Sequence, residues 1–256
     1  MRGNKSAAYH GNDKFIMIID IIGKGNVGWH LHNALKNKAN TRLIDSRTLE
    51  GIREDSDISL ICVSDNAISE IASSISKLVK NNTVVAHTAG STPMSEIEKY
   101  HDNVGVFYPL QTFNKDVVLN YENIPVFIEA KNDYALSIIN NVASLFSNEI
   151  RLLDSEKRQK LHVASVFACN FVNHLWSISD KLLIETGLSI DFLKPLIAET
   201  AHKIEMENPS EVQTGPAKRH DSVTICRHIK ALQKDKELLG IYQMLTNSIM
   251  YHHPKQ

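Results

Sequence analysis

The feature that most limits what this chain can fold into is the stretch "IIDIIGKGNVGWHLHNAL", residues 18–35. An isoleucine-rich run suited to a buried strand ends directly on three glycines spaced G-x-G-x-x-G. Val27, Leu31, Ala34 and Leu35 then recur at helical spacing. In that context Gly23 permits a tight turn and Gly25 lets backbone approach a pyrophosphate. Gly28, in the first helical turn, allows helix to pack closely on strand. The helix start at Asn26 and Val27 offers N–H groups and a positive dipole end to phosphates. The plainer alternative is a βα turn that holds no ligand.

Around this turn the chain reads as alternating strands and helices. Strand signals fall at 15–22, 42–44, 58–63, 83–86, 104–108, 125–129 and 149–153, and helical ones at 26–38, 67–79 and 133–146. Such alternation implies an α/β, Rossmann-type, doubly wound and mainly parallel sheet. Beyond about Asp154 strand signals stop. Helical stretches follow at 156–186, 190–208 and 222–251, interrupted by "PSEVQTGPAKRHD". The expected organisation is a polar lead-in over 1–14, a dinucleotide-binding domain over 15–153, and an all-helical domain over 154–256. The lead-in lacks the apolar core of a secretion signal. Two features sit badly with a standard Rossmann half. Asp20 lies inside the first strand, where an unpaired carboxylate is costly. Only nine residues separate Thr48 from Ile58, fewer than a parallel crossover with a helix normally needs.

Composition removes other classes. The chain is 43% apolar and 22% charged with a net charge of -1, so no basic surface steers it to nucleic acid or anionic lipid. No apolar run approaches the roughly 20 residues that cross a membrane. Cys62, Cys169 and Cys226 are scattered, which suits a reducing cytoplasm; Cys62 and Cys169 read as small core residues. The twelve histidines form no HExxH or Cys/His ligand spacing, and no metal is expected.

The end of the second strand bears on the cofactor. An acid there holds the ribose hydroxyls of NAD, and a basic residue favours the 2′-phosphate of NADP. Here Asp45 is followed by Ser46, Arg47 and Thr48, a guanidinium flanked by two hydroxyls, so NADP is expected over NAD. A merely solvated Arg47 is the alternative. Three further loops end at the carboxyl side of strands, where ligands bind in such sheets. "VSDNAI" brings Val63 and Ser64 toward the nicotinamide ribose. "HTAGS" brings His87 and Thr88, and "PLQTF" brings Gln111 and Thr112. Segment 156–186 is apolar on most sides and reads as a buried helix. Yet His162, Asn170 and His174 fall on one stripe of it and need partners or a wet cleft. In "TGPAKRHD", Arg219 could clamp a substrate carboxylate, and Asp221 could orient it or cap the next helix.

Taken in order, "GKGNVGWHL", "SRT", "ICVSDNAI", "HTAGS", "YPLQTF", "LHVASVFACNFVNHL" and "TGPAKRHD" resemble a family of Rossmann-like proteins with a helical C-terminal domain of unknown function. That family is distantly related to pyrroline-5-carboxylate reductase, ketopantoate reductase and the β-hydroxyacid dehydrogenases. The likeness runs from residue 15 to about residue 250. It implies an NADP-dependent oxidoreductase acting on a small carbonyl, imine or alcohol. It also implies a C-terminal domain like that of 6-phosphogluconate dehydrogenase, which forms a homodimer and helps build the active site. In these relatives the loop after the fourth strand lies against nicotinamide and substrate, which makes His87 a contact. β-Hydroxyacid dehydrogenases carry a lysine and an asparagine four apart on the helix after the sheet. Asn170 matches the asparagine, but Val166 stands at the lysine position. The lysine chemistry is therefore absent, and His162 is the expected proton donor, with His174 second. Some relatives use a deazaflavin. The rival expectation is a non-catalytic dinucleotide sensor or dimeric scaffold.

Overall fold

The computed structural model describes residues 16–255. Its contacts divide the chain into two compact units, one ending at Val172 and the other beginning at Asn173. The division falls beyond residue 153, so the helix that follows the last strand groups with the sheet.

The first unit is built on seven strands: β1 (Ile18–Ile22), β2 (Asn40–Ile44), β3 (Ile58–Ile61), β4 (Val84–His87), β5 (Val104–Pro109), β6 (Val126–Ala130) and β7 (Ile150–Leu152). They lie in the order β2-β1-β3-β4-β5-β6-β7. All neighbours are parallel except β5 and β6. β3, β4 and β5 are buried along their whole length, as strands covered on both faces must be. One face is covered by α1 (Asn26–Leu35) and α4 (Asp133–Phe146), whose Leu31, Leu35, Ile139, Val142 and Phe146 join Ile19, Leu60 and Phe107 in a single core. The other face packs Ile22, Ile61, Val85 and Val104 against Ile68, Ala72 and Ile75 of α2 (Ile68–Ile75) and Ile97 of α3 (Ser95–Glu98).

Asp20 is not left unpaired. It is fully buried in β1, and Arg53 meets it with its backbone amide at 2.7 Å and its Nε at 2.8 Å. The remaining Arg53 nitrogens reach the Ile19 carbonyl and Asn40. Arg53 belongs to the short crossover between β2 and β3. That segment forms no helix; its Leu49 and Ile52 pack on the core instead. The buried carboxylate and the missing crossover helix are thus one construction, with a charged plug in place of a helical wall.

After β7, the expected single helix over 156–186 is α5 (Ser155–Ser165), a π-helical segment Val166–Phe171, and α6 (Val172–Ile184). It is not buried: Val163, Phe167, Phe171 and Trp176 are exposed, and so is Cys169, which is therefore no core residue. The second unit continues through α7 (Lys194–Met206), α8 (Ser222–Leu232) and α9 (Lys236–His252). The expected helix over 222–251 is broken because Asp235 caps α9, its carboxylate accepting from the Leu238 amide at 3.0 Å. Among the described residues no helix is long and apolar enough to cross a membrane.

Candidate functional site

The glycine turn is shaped as a dinucleotide turn requires. Gly23 has φ +115° and donates its amide to the Ile44 carbonyl at 2.9 Å. A Cβ there would stand 2.2 Å from the Cys62 carbonyl oxygen. On Gly28 a Cβ would stand 1.9 Å from the Gly23 oxygen, so α1 touches the turn backbone to backbone. Gly25 differs: a Cβ on it would meet nothing within 4 Å. It caps α1, which has no side-chain cap and no acid in its first turn. Its surroundings form a cleft of about 440 Å³ lined by Gly23, Lys24, Gly25, Asn26, Val27, Ser46, Cys62, Val63, Ser64, Ala67 and Thr88. Open space before an uncapped helix start is where an anion gains most from orphan N–H groups. These residues fit a dinucleotide pyrophosphate. Lys24 and Lys115 add cations, Lys115 donating to the Lys24 carbonyl at 2.8 Å. Neither lysine stood out in the sequence, because a loop 91 residues away brings one to the other. That loop is held by buried His30, whose Nδ1 lies 2.9 Å from the Tyr121 hydroxyl and whose Nε2 lies 2.8 Å from the Asn114 carbonyl.

At the end of β2, Arg47 grips Asp45 bidentately, Nε to Oδ1 at 3.1 Å and Nη2 to Oδ2 at 3.0 Å, with Lys24 3.9 Å away. The hydrogen bonds from Arg47 hold the Asp45 carboxyl down at about 2. Arg47 itself is highly exposed, and neither it nor Thr48 lines the glycine-turn cleft, whereas Ser46 does.

A second cleft, of about 520 Å³, is lined by Val27, Thr88, Tyr108, Pro109, Leu110, Gln111, Thr112, Phe113, His162, Ser165, Ala168, Cys169 and Asn170. The two clefts share Val27 and Thr88. Six predicted site residues, Val27, Thr88, Gln111, Thr112, His162 and Asn170, therefore meet there. Ala168, Cys169 and Asn170 on the cleft wall all belong to the π-helical segment, a local form that often stands at functional sites. The Ser165 hydroxyl donates to the His162 carbonyl at 2.7 Å at the start of that segment.

His162 has a partner the sequence did not single out. The Tyr108 hydroxyl lies 3.1 Å from its Nδ1, and burial pushes the Tyr108 phenol up from its usual value. Gly90 lies flat on this pair: a Cβ there would stand 2.5 Å from His162 Nδ1 and 2.8 Å from Tyr108 Cζ. Tyr108 was within reach of sequence reasoning, as the last aromatic of β5 before "PLQTF".

His87 is placed otherwise than its loop suggested. It is fully buried and lines neither cleft. The Ala89 amide donates to its Nδ1 at 3.2 Å, and its Nε2 has no hydrogen-bond partner. Burial, then the Arg158 cation, lowers its pKa to about 3, so it stays neutral. His174 and Arg219 belong to the second unit. There Arg219 joins Lys218, His252, His253 and Lys255 around a basic concavity of about 530 Å³. Asp221 caps α8, accepting from the Thr224 amide at 3.0 Å and its hydroxyl at 2.7 Å. Among the described residues no group of three or more His, Cys, Asp or Glu is placed to hold a metal.

This fold defines a Rossmann-type protein whose first turn has the form of a dinucleotide-binding turn. Among solved structures, a candidate NADP oxidoreductase from Bacteroides fragilis is similar with a TM-score of 0.84 and 32% identity, over 91% of this chain and 98% of that one. A Thermotoga maritima protein is similar with a TM-score of 0.69 and 17% identity, over 92% and 98%. A reductive aminase from Aspergillus terreus, solved with NADPH and ethyl levulinate, is similar with a TM-score of 0.64 and 12% identity, over 92% and 94%. Residues 124–249 match the model of a domain of unknown function, DUF2520. No curated protein matches the chain. The chain belongs to the family of the Bacteroides fragilis protein; the other two likenesses show the fold alone.

Proposed function

We propose that this chain is an NADPH-dependent reductase of a small carbonyl compound or imine. The observation that carries this reading is the meeting of the two clefts at Val27 and Thr88, with the glycine turn on one side and the Tyr108–His162 pair on the other. A nicotinamide supplies hydride chemistry when bound. The residues of the chain do the rest. Gly23, Gly25 and the start of α1 hold the pyrophosphate. Val63 and Ser64 flank the ribose. His162 gives a proton to the acceptor oxygen or nitrogen, with Tyr108 fixing its ring. Thr88, Gln111, Thr112 and Asn170 orient the substrate by neutral hydrogen bonds.

NADPH is favoured over NADH by the state of Asp45. Its carboxylate is already taken by Arg47 and approached by Lys24, so it is poorly free to accept from ribose hydroxyls. The same Arg47 leaves a highly exposed cation beside the cleft to meet a 2′-phosphate. Among its described residues the second unit buries Ala217 and Thr246, while Phe192, Leu196, Ile204, Met206 and Met244 are exposed. So much apolar surface on an all-helical unit suits a homodimer.

The test is NADPH oxidation with a panel of small aldehydes, ketones and imines, in the wild type and in His162→Ala. The expected result is turnover in the wild type and a loss of about 10²- to 10⁴-fold in the variant, the usual worth of a positioned acid, with NADPH affinity kept. NADPH binding without turnover of any panel member would instead favour a dinucleotide sensor.

A further inference from the structure

We infer that Arg158 is the positioning residue of the Tyr108–His162 pair: its guanidinium clamps the loop after β4, and that clamp keeps Gly90 pressed onto the pair. The inference rests on the reading of His162 as proton donor.

Arg158 is 1% exposed, the largest fully buried side chain among the described residues. A lone buried guanidinium is costly, so its partners matter. Nη1 pairs with the Glu129 carboxylate on β6. Nη2 donates to the Thr92 carbonyl at 2.6 Å and to the Ser155 hydroxyl oxygen at 3.1 Å. Ser155 in turn donates to Glu129 Oε2 at 2.8 Å and accepts from the Met94 amide at 3.0 Å. The loop after β4 is therefore held by two backbone atoms, at Thr92 and Met94. On its other side Asp65 accepts from the hydroxyls of Ser91 and Thr92, the latter at 3.1 Å. Gly90 lies just before these anchors.

Arg158 and His162 stand four apart on α5, one helical turn. One turn of helix thus carries the proton donor and grips the loop that covers it. Arg158 does not line either cleft, so it acts through Gly90, Tyr108 and His162. A purely structural role accounts for less. Apolar side chains of similar volume pack a helix on a sheet as well as a buried ion pair does. They cannot hold the carbonyl of a polar loop. The region also keeps two buried polar atoms without partners, Arg158 Nε and His87 Nε2. Such orphans are a stability cost that a network built only for packing would avoid.

The test uses the full-length protein and two variants, Arg158→Lys, which keeps the charge but loses the fork, and the milder Ser155→Ala. Amide exchange of segment 88–94 and the imidazole nitrogen NMR signals of His162 are read with no substrate present, and kcat and KM with one. The expected result for Arg158→Lys is exchange of 88–94 faster by about tenfold, the worth of one hydrogen bond, with β1 and β3 unchanged. The His162 signals should move toward an averaged tautomer. kcat should fall by about 100-fold, as for an ångström-scale misplacement, with KM for NADPH unchanged. Ser155→Ala should move each readout the same way by less. Unaltered exchange in 88–94 or unaltered His162 signals in both variants would overturn the inference. A wild type that turns nothing over would overturn the enzyme reading alone, because exchange and NMR still decide whether Arg158 holds the pair.

Discussion

His87 carries a measurable consequence of its burial. Its pKa lies near 3 in the native protein, chiefly through burial and secondarily through Arg158, against about 6.5 in the unfolded chain. Between those values the unfolded chain takes up a proton that the native one refuses. The stability it contributes is complete above pH 6.5 and lost as pH falls toward 3, by up to about 5 kcal/mol. Denaturant midpoints measured from pH 7 to pH 4 should fall less steeply in His87→Gln than in the wild type. Equal slopes would contradict the buried neutral state. His87 also shows where residue-level reading stops. The sequence marks a histidine at the end of a strand, but which way it faces depends on pleat and on Arg158, 71 residues later. Asp20 was legible as an anomaly, yet its partner Arg53 lies 33 residues on, in a segment without periodicity. Tyr108 was visible only as the end of a strand; its value as a partner appears when α5 brings His162 within 3.1 Å.

The elements themselves were largely legible, because apolar runs fall where the strands lie and Asn132, Asp154, Asp221 and Asp235 cap α4, α5, α8 and α9. What escaped was geometry that periodicity does not encode. The antiparallel pairing of β6 leaves no local mark. The π-helical segment leaves no periodic mark in the sequence, yet it carries Ala168, Cys169 and Asn170 along the wall of the cleft. The break before α9 was signalled by Asp235, a capping residue among charged neighbours. The glycine turn gives the sharpest prediction at this scale. Gly28→Ala puts a methyl 1.9 Å from backbone oxygen, so both thermal stability and dinucleotide affinity should fall. Gly25→Ala puts one into open space. The melting temperature should hold while affinity drops about 10- to 100-fold, the worth of charge-assisted hydrogen bonds. Gly25→Ala that binds NADPH normally would mean that the open cradle holds no phosphate.

At the scale of the whole molecule, the division into a sheet unit and a helical unit follows from where strand signals end, although α5 groups with the sheet. The helical unit exposes apolar side chains on α7, α8 and α9. Light scattering at micromolar concentration should give twice the mass of one chain, and a monomer would contradict the homodimer. In the proposed function the glycine turn and Arg47 together hold NADPH. Titration with NADPH and with NADH, following nicotinamide fluorescence, in the wild type and in Arg47→Ala, tests it most directly. NADPH should bind the wild type more tightly than NADH by about tenfold or more, and Arg47→Ala should abolish that difference by weakening NADPH, while NADH binds no more weakly than before because Asp45 is freed to meet its ribose. Binding of neither nucleotide would contradict the account, and the turn between β1 and α1 would then be a connection and nothing more.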